Sequence, residues 1–133
     1  MSAAELLAAA HTALERYVEV LVDPDGVLAF VHAEMPCAVQ SAELTEGLVV
    51  LSVTCVVLWE LDRSSALNRA VVRVGADVQY GALGLLDDGE RADVTLRYAF
   101  PAAGLNTDAL GTMLLLVLSS ASHARSELQA ALG

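Results

Sequence analysis

Hydrophobic and polar positions along this chain change period several times, and the changes outline an order of elements. Ser2 and Glu5 have the spacing of a capping box. Leu6, Leu7, Ala10, Leu14 and Tyr17 then follow at helical spacing, which predicts a first helix ending near Arg16 to Val18. Val18 to Val22 is rich in β-branched residues and reads either as a short strand or as the exit of that helix. Asp23-Pro24-Asp25-Gly26 is a turn with a mechanism: Pro24 fixes φ, Gly26 accepts positive φ, and both Asp side chains can bond local amides. Val27 to His32 runs as a strand, Cys37 to Leu44 alternates as the next, and Glu46-Gly47 turns the chain again.

Leu48 to Leu61 is the longest strand run. Val49, Leu51, Val53, Cys55, Val57, Trp59 and Leu61 make one unbroken apolar face. The other face mixes Ser52, Thr54 and Glu60 with Val50, Val56 and Leu58. This is the pattern of an antiparallel strand with one dry and one half-wet face, and its length predicts a bend or bulge. Ser64 or Ser65 can cap a second helix over Leu67, Ala70, Val71, Val74 and Val78. Tyr80 to Leu86 and Asp93 to Phe100 form a hairpin across Asp88-Gly89, ended by Pro101. Asn106 or Thr107 caps a final helix whose core stripe is Leu110, Met113, Leu114, Val117, Ala121 and Leu128. Leu115, Leu116 and Leu118 make its first half apolar nearly all round. The order αβββαββα predicts an α+β fold in one domain, residues 1–133. A twisted antiparallel sheet carries the first and last helices on its apolar face, with the second helix set apart.

Composition narrows the partners. Hydrophobic residues make up 56% of the chain and charged residues 18%, an apolar excess for a lone small domain. The formal net charge is −10, and all seven cations are Arg. So acidic a chain repels phosphate backbones, which argues against nucleic acid and anionic membrane surfaces and favours a partner with a basic segment. Ser2 to Ala10 is alanine-rich, but Glu5 interrupts it and no basic residue precedes it, unlike a secretory leader; no apolar run approaches the ~18 residues of a membrane span. The expectation is a cytoplasmic protein in which Cys37 and Cys55 are buried thiols on strands.

Three groups of residues, taken in order, give the chain a family likeness. They are Asp23-Pro24-Asp25-Gly26-Val27 opening a strand, Leu67-Asn68-Arg69 in the middle helix, and Asp87-Asp88-Gly89 leading to Phe100-Pro101 and Gly104-Leu105. In this the chain resembles the YbjN-type proteins, which share the fold of the type III secretion class I chaperones. The resemblance covers most of the chain. It implies a protein-binding module, since the secretion members work as homodimers that hold an extended client segment without ATP. It also implies dimer contacts through the middle helix, at Leu67, Val71 and Val74. A client would pair with the strand Val27 to Val31, helped by apolar pockets near Leu7 and Leu14. The Val-rich middle helix and Gly75 depart from the family pattern and leave that helix's length open.

Chemistry offers little beside this. His11, His32 and His123 lie on separate elements at no ligand spacing, and no Cys/His grouping has zinc spacing. Asp23, Asp25 and Glu34 fall at the first, third and twelfth positions of a calcium loop. However, Gly26 comes two places early and a strand fills the interval, so the turn reading stands. Ser64-Ser65 and Ser119-Ser120 lack a nucleophile elbow's glycines, and without Lys no phosphate loop is complete. No catalytic residue, metal or cofactor is expected. The apolar surplus at Val50, Val56, Leu58, Leu115 and Leu116 either lies inside the monomer or is covered by a partner; homodimerisation follows from the second reading. Three functions remain: a non-catalytic chaperone or adaptor holding a client polypeptide, a small-molecule sensor or carrier, and a structural or regulatory subunit of a larger complex.

Overall fold

The computed structural model describes residues 1–133, and its helices begin where the chain's caps place them. The Ser2–Glu5 capping box opens α1, Ala3–Leu14. Two strands follow, β1 at Leu21–Val22 and β2 at Leu28–His32. Then come β3, Met35–Thr45, and the long β4, Leu48–Asp62. Ser64 caps α2, Ser65–Gly75. The hairpin is β5, Ala82–Asp87, with β6, Arg91–Pro101. Asn106 caps α3, Thr107–Leu132. All six strands join one antiparallel sheet in the order β1-β2-β3-β4-β6-β5, the α+β architecture the pattern predicts. The stretch Val18 to Val22 resolves as a strand of only two residues, which adds a sixth strand to the expected order.

All three helices lie on one face of the sheet. Leu6, Ala10 and Leu14 of α1 and Leu110, Leu114, Val117, Ala121 and Leu128 of α3 pack against Val39, Leu51, Val53, Cys55, Leu96 and Phe100. Ala13 and Gly111 let α1 and α3 approach closely: a Cβ added to Gly111 would sit 3.8 Å from that of Ala13. Helix α2 is not set apart. It packs on α3 and β5, with Gly75 against Leu83. Its apolar stripe of Leu67, Ala70, Val71 and Val74 is consequently buried inside the single chain. Leu67, Val71 and Val74 are therefore core residues, not surface contacts. A stripe at helical spacing buries equally well against the chain's own neighbours or a second copy, and here α3 and β5 supply the cover.

The opposite face of the sheet carries no helix. Val50 is buried there by its neighbours, Val56 is half-buried, and Ala42, Arg97 and Ala99 are exposed, whereas Leu58, opposite Val94 beyond the irregularity in β4, is half-buried against the core. Leu115 and Leu116 of α3 are half-buried. Most of the apolar surplus is thus absorbed within the monomer. No helix is long and apolar enough to cross a membrane.

Strand β4 bends as its length requires. Val56 pairs with Thr95 and Leu58 with Val94, so Val57 is an extra residue. Its carbonyl oxygen accepts from Arg125 Nη1 at 2.6 Å. A second shift lies between Leu58 and Leu61, where Glu60 adopts φ +53°. The two bulges turn Trp59 out of the dry face that strict alternation predicts, and its ring lies 5.3 Å from the Arg125 guanidinium carbon.

Candidate functional site

The two edges of the sheet are unequal. At one, β1 is too short to cover β2. Asp23 N–H donates to the Val27 carbonyl at 3.0 Å, and Leu21 pairs with Ala29. Antiparallel geometry alternates, so the odd residues of β2 direct their backbone groups toward β1. Val31 continues this series past the start of β1, and its outward N–H and C=O face no strand. Its side chain is 63% exposed. Beside it opens a cavity of about 540 Å³ lined by Val18, Glu19, Leu21, Ala29, Phe30, Val31, Pro36 and Cys37. An open strand edge over an apolar groove is the geometry that receives an added strand.

Local sequence builds both ends of this edge. Asp23 Oδ1 accepts from Asp25 N–H at 2.8 Å and Val27 N–H at 2.9 Å, so the acidic stretch is a closed turn that starts β2. At the other end, Ala33 (φ 48°) and Glu34 (φ 71°) form a two-residue connection with positive φ at both positions. That geometry favours Asn-Gly, and neither residue here is glycine. Glu19, Asp23, Asp25 and Glu34 surround the edge, and the groove itself contains no Arg.

Of the four residues expected to hold a client, only Val31 lines the groove. Leu14 is fully buried between α1 and the core, and Leu7 is half-buried on the same helix. Val27 is half-buried, and its carbonyl is taken by Asp23. Neither Leu7 nor Leu14 lines the groove, because α1 packs its apolar residues on the helix-bearing face of the sheet. Leu21, Phe30 and Pro36 line the groove without having been singled out in the sequence. Their signal was the brevity of the β-branched run before Asp23, which leaves β2 longer than its cover.

A second cavity, of about 440 Å³, lies between the end of α2 and α3. Val74, Val78, Leu116 and Ala124 form its apolar part. Arg73, Asp77, Tyr80, Ser119, Ser120, His123 and Glu127 supply polar groups. Arg73 makes no ion pair or side-chain hydrogen bond. Leu116, Ser119, Ser120, His123 and Glu127 share one stripe of α3, visible as a period only once the helix is placed. His11 pairs with Glu15 at 2.9 Å on the opposite end of the molecule, and His32 ends β2, so the three histidines do not meet. No three His, Cys, Asp or Glu side chains come close enough to hold a metal ion.

Cys37 and Cys55 are free, buried thiols directly opposite each other on β3 and β4. Hydrogen bonding with Cys55 lowers the Cys37 thiol from its ordinary range, against the effect of burial, and the same interaction, with burial, pushes Cys55 up. The Cys37 thiol donates to the Met35 carbonyl at 3.4 Å.

Compared with solved structures, the chain superposes on the crystal structure of YbjN, a proposed transcription regulator from E. coli. The TM-score is 0.66 over 93% of this chain and 91% of that one, at 12% sequence identity. The chain has the YbjN fold. No family model matches it, and no curated protein matches it by sequence. At this identity the likeness extends to the path of the backbone, and the groove, the cleft and the thiol pair are read from this chain's own residues.

Proposed function

We propose that this protein is a non-catalytic protein-binding module, a chaperone or adaptor of the cytoplasm, that takes an extended client segment along the outer edge of β2. The observation that carries the reading is Val31: an exposed apolar residue whose backbone faces outward beyond the cover of β1, beside the groove. An added strand gains main-chain hydrogen bonds from the edge and places alternate side chains against Leu21 and Pro36. The acids around the edge and the net charge of −10 favour a basic client, with an association rate that falls as salt rises. The description of YbjN as a regulator is in keeping with action through binding. Val31→Pro is the decisive variant. Its N–H points outward, so proline is tolerated there while the donor is removed. A photo-crosslinker at Leu21 should capture a polypeptide in the native protein and lose it in Val31→Pro. Equal capture by both, or by a crosslinker at Ala99 on the open sheet face, would overturn the reading.

A homodimer belongs to the same proposal, with its contact moved to the outward face of α2. Val72 is 74% exposed there, between Arg69 and Arg73. Light scattering should give twice 13.9 kDa, falling to 13.9 kDa in Val72→Glu. A native protein already at the lower mass removes the dimer and leaves the edge.

The α2–α3 cleft favours a second reading, a small-molecule sensor or carrier. Its volume falls within the range of ligand pockets, and polar groups converge on an apolar wall. Recovery of a metabolite with the purified protein, lost in Leu116→Trp, would favour this reading over the client.

A further inference from the structure

We propose that Cys37 and Cys55 are a thiol redox site that closes to an intramolecular disulfide on reaction with a hydroperoxide. This goes beyond the client-binding reading and does not depend on it.

The register carries the argument. The odd residues of β2 turn their backbone groups toward β1, so Leu28, Phe30 and His32 turn theirs toward β3. Their partners Val39, Cys37 and Met35 face back. Cys37 therefore spends its backbone hydrogen bonds on β2, and Cys37↔Cys55 is a pair without hydrogen bonds between its own backbones. In such pairs the Cα atoms approach to ~4.5 Å and the side chains are closest. That separation lies inside the range a disulfide spans, ~4.4–6.8 Å. Both side chains are on the helix-bearing face. The preceding residue, Pro36, has no N–H to offer β4, and the β3–β4 pairing stops at Cys37↔Cys55. The thiols thus occupy the last rung of a ladder, where the strands can adjust.

Access is one-sided. Cys37 is 5% exposed and lines the groove at the β2 edge, whereas Cys55 is sealed at 0%. The asymmetry assigns the order of events. The Cys37 thiolate attacks the terminal oxygen of the hydroperoxide, the O–O bond breaks, and the remainder leaves as an alcohol with one proton. Cys37 is then a sulfenic acid. The Cys55 sulfur attacks the Cys37 sulfur, the S–O bond breaks, and the departing hydroxide takes the Cys55 proton as water. Two thiols are oxidised by two electrons, and one hydroperoxide is reduced to alcohol and water.

The test uses the full-length reduced protein and hydrogen peroxide. Intact mass should fall by about 2 Da and return on adding dithiothreitol. Peptide mapping should show a Cys37–Cys55 link in the monomer. In Cys55→Ser the reaction should stop at a Cys37 sulfenic acid, trapped by dimedone, and Cys37→Ala should leave Cys55 unmodified. The wild-type mass and mapping decide the matter even if a variant misfolds. Persistence of both free thiols, over-oxidation of Cys37 beside an intact Cys55, or bridges between chains would each overturn the proposal.

Discussion

Arg125 closes the fault that the first bulge opens in β4. Val57 is the extra residue there, so its carbonyl is left out of the ladder with β6, next to a side chain that is wholly buried. Arg125 Nη1 supplies the missing donor at 2.6 Å. Its guanidinium also lies over Trp59, and Nη2 reaches Glu34 Oε2 at 3.4 Å. These contacts are unequal. The Arg125 side chain is 15% exposed, but that of Glu34 is 84% exposed, so solvent screens the ion pair. Orphaning the Val57 carbonyl costs ~1–3 kcal/mol, and losing the cation–π contact costs ~0.5–1 kcal/mol. Arg125→Ala should therefore lose about 2–3 kcal/mol, Arg125→Lys less, and Glu34→Gln under ~0.5 kcal/mol. Urea unfolding followed by circular dichroism gives the values, and Trp59, the sole tryptophan, reports the local change by fluorescence. A loss below ~0.5 kcal/mol for Arg125→Ala, or an equal loss for Glu34→Gln, would refute the carbonyl as the main contact.

Three further outcomes are expected. Gly81 combines φ +128° with a site where an added Cβ would lie 2.6 Å from Leu96 Cδ2 in the core, so Gly81→Ala should lower the urea midpoint by more than Gly89→Ala, which meets no atom within 4 Å. Glu34→Gly relieves a left-handed residue at little electrostatic cost and should raise stability by ~1 kcal/mol in the same assay, the opposite of what an important ion pair would give. Asp88 accepts from the backbone N–H groups of Arg91 and Glu90, which hold its carboxylate below the ordinary Asp range. The folded value is the lower one, so this support is complete above the unfolded Asp pKa and is lost as pH falls through the folded value. NMR shifts of the Glu90 and Arg91 amides should titrate with a midpoint below that of a free Asp.

The elements that were legible in the sequence share one property: their signals are local. Ser2 with Glu5, Ser64 and Asn106 each cap the helix they precede, and Asp23 bonds the turn that follows it. The bulge in β4 was legible too, because length alone demanded it. The Ala33-Glu34 connection was not, since its residues carry no turn chemistry and the geometry is imposed by the strands on either side. For that reason the sequence placed β3 at Cys37, two residues after its start at Met35. The position of α2 was illegible for a different reason. Its stripe of Leu67, Val71 and Val74 says that the helix must be covered and is silent on whether the cover belongs to the same chain. The candidate groove falls between these cases. Val31 was within the expected strand, but its importance comes from β1 reaching no further than Leu21, a relation between two elements.

The same relation accounts for where the remaining apolar surface lies. Tyr17, Leu21, Val22 and Val31 are four of the large exposed hydrophobics, and all fall within the short stretch from the end of α1 to β2. The middle of the open sheet face, by contrast, carries Ala42, Thr54, Arg97, Ala99 and half-covered Val56, and its exposed leucines, Leu44 and Leu86, lie apart from one another at strand ends. A sheet protects an edge by shortening it, charging it or bending it. β1 is short and acids stand at both of its ends, yet β2 runs on past it with apolar residues and unpaired backbone. Protection that stops partway along an edge leaves a defined opening of about two or three residues, long enough to register a visiting strand and too short to seed an indefinite sheet. That opening favours a basic extended segment as the occupant over a second β2 edge, because two copies would bring Glu19, Asp23 and Asp25 against one another.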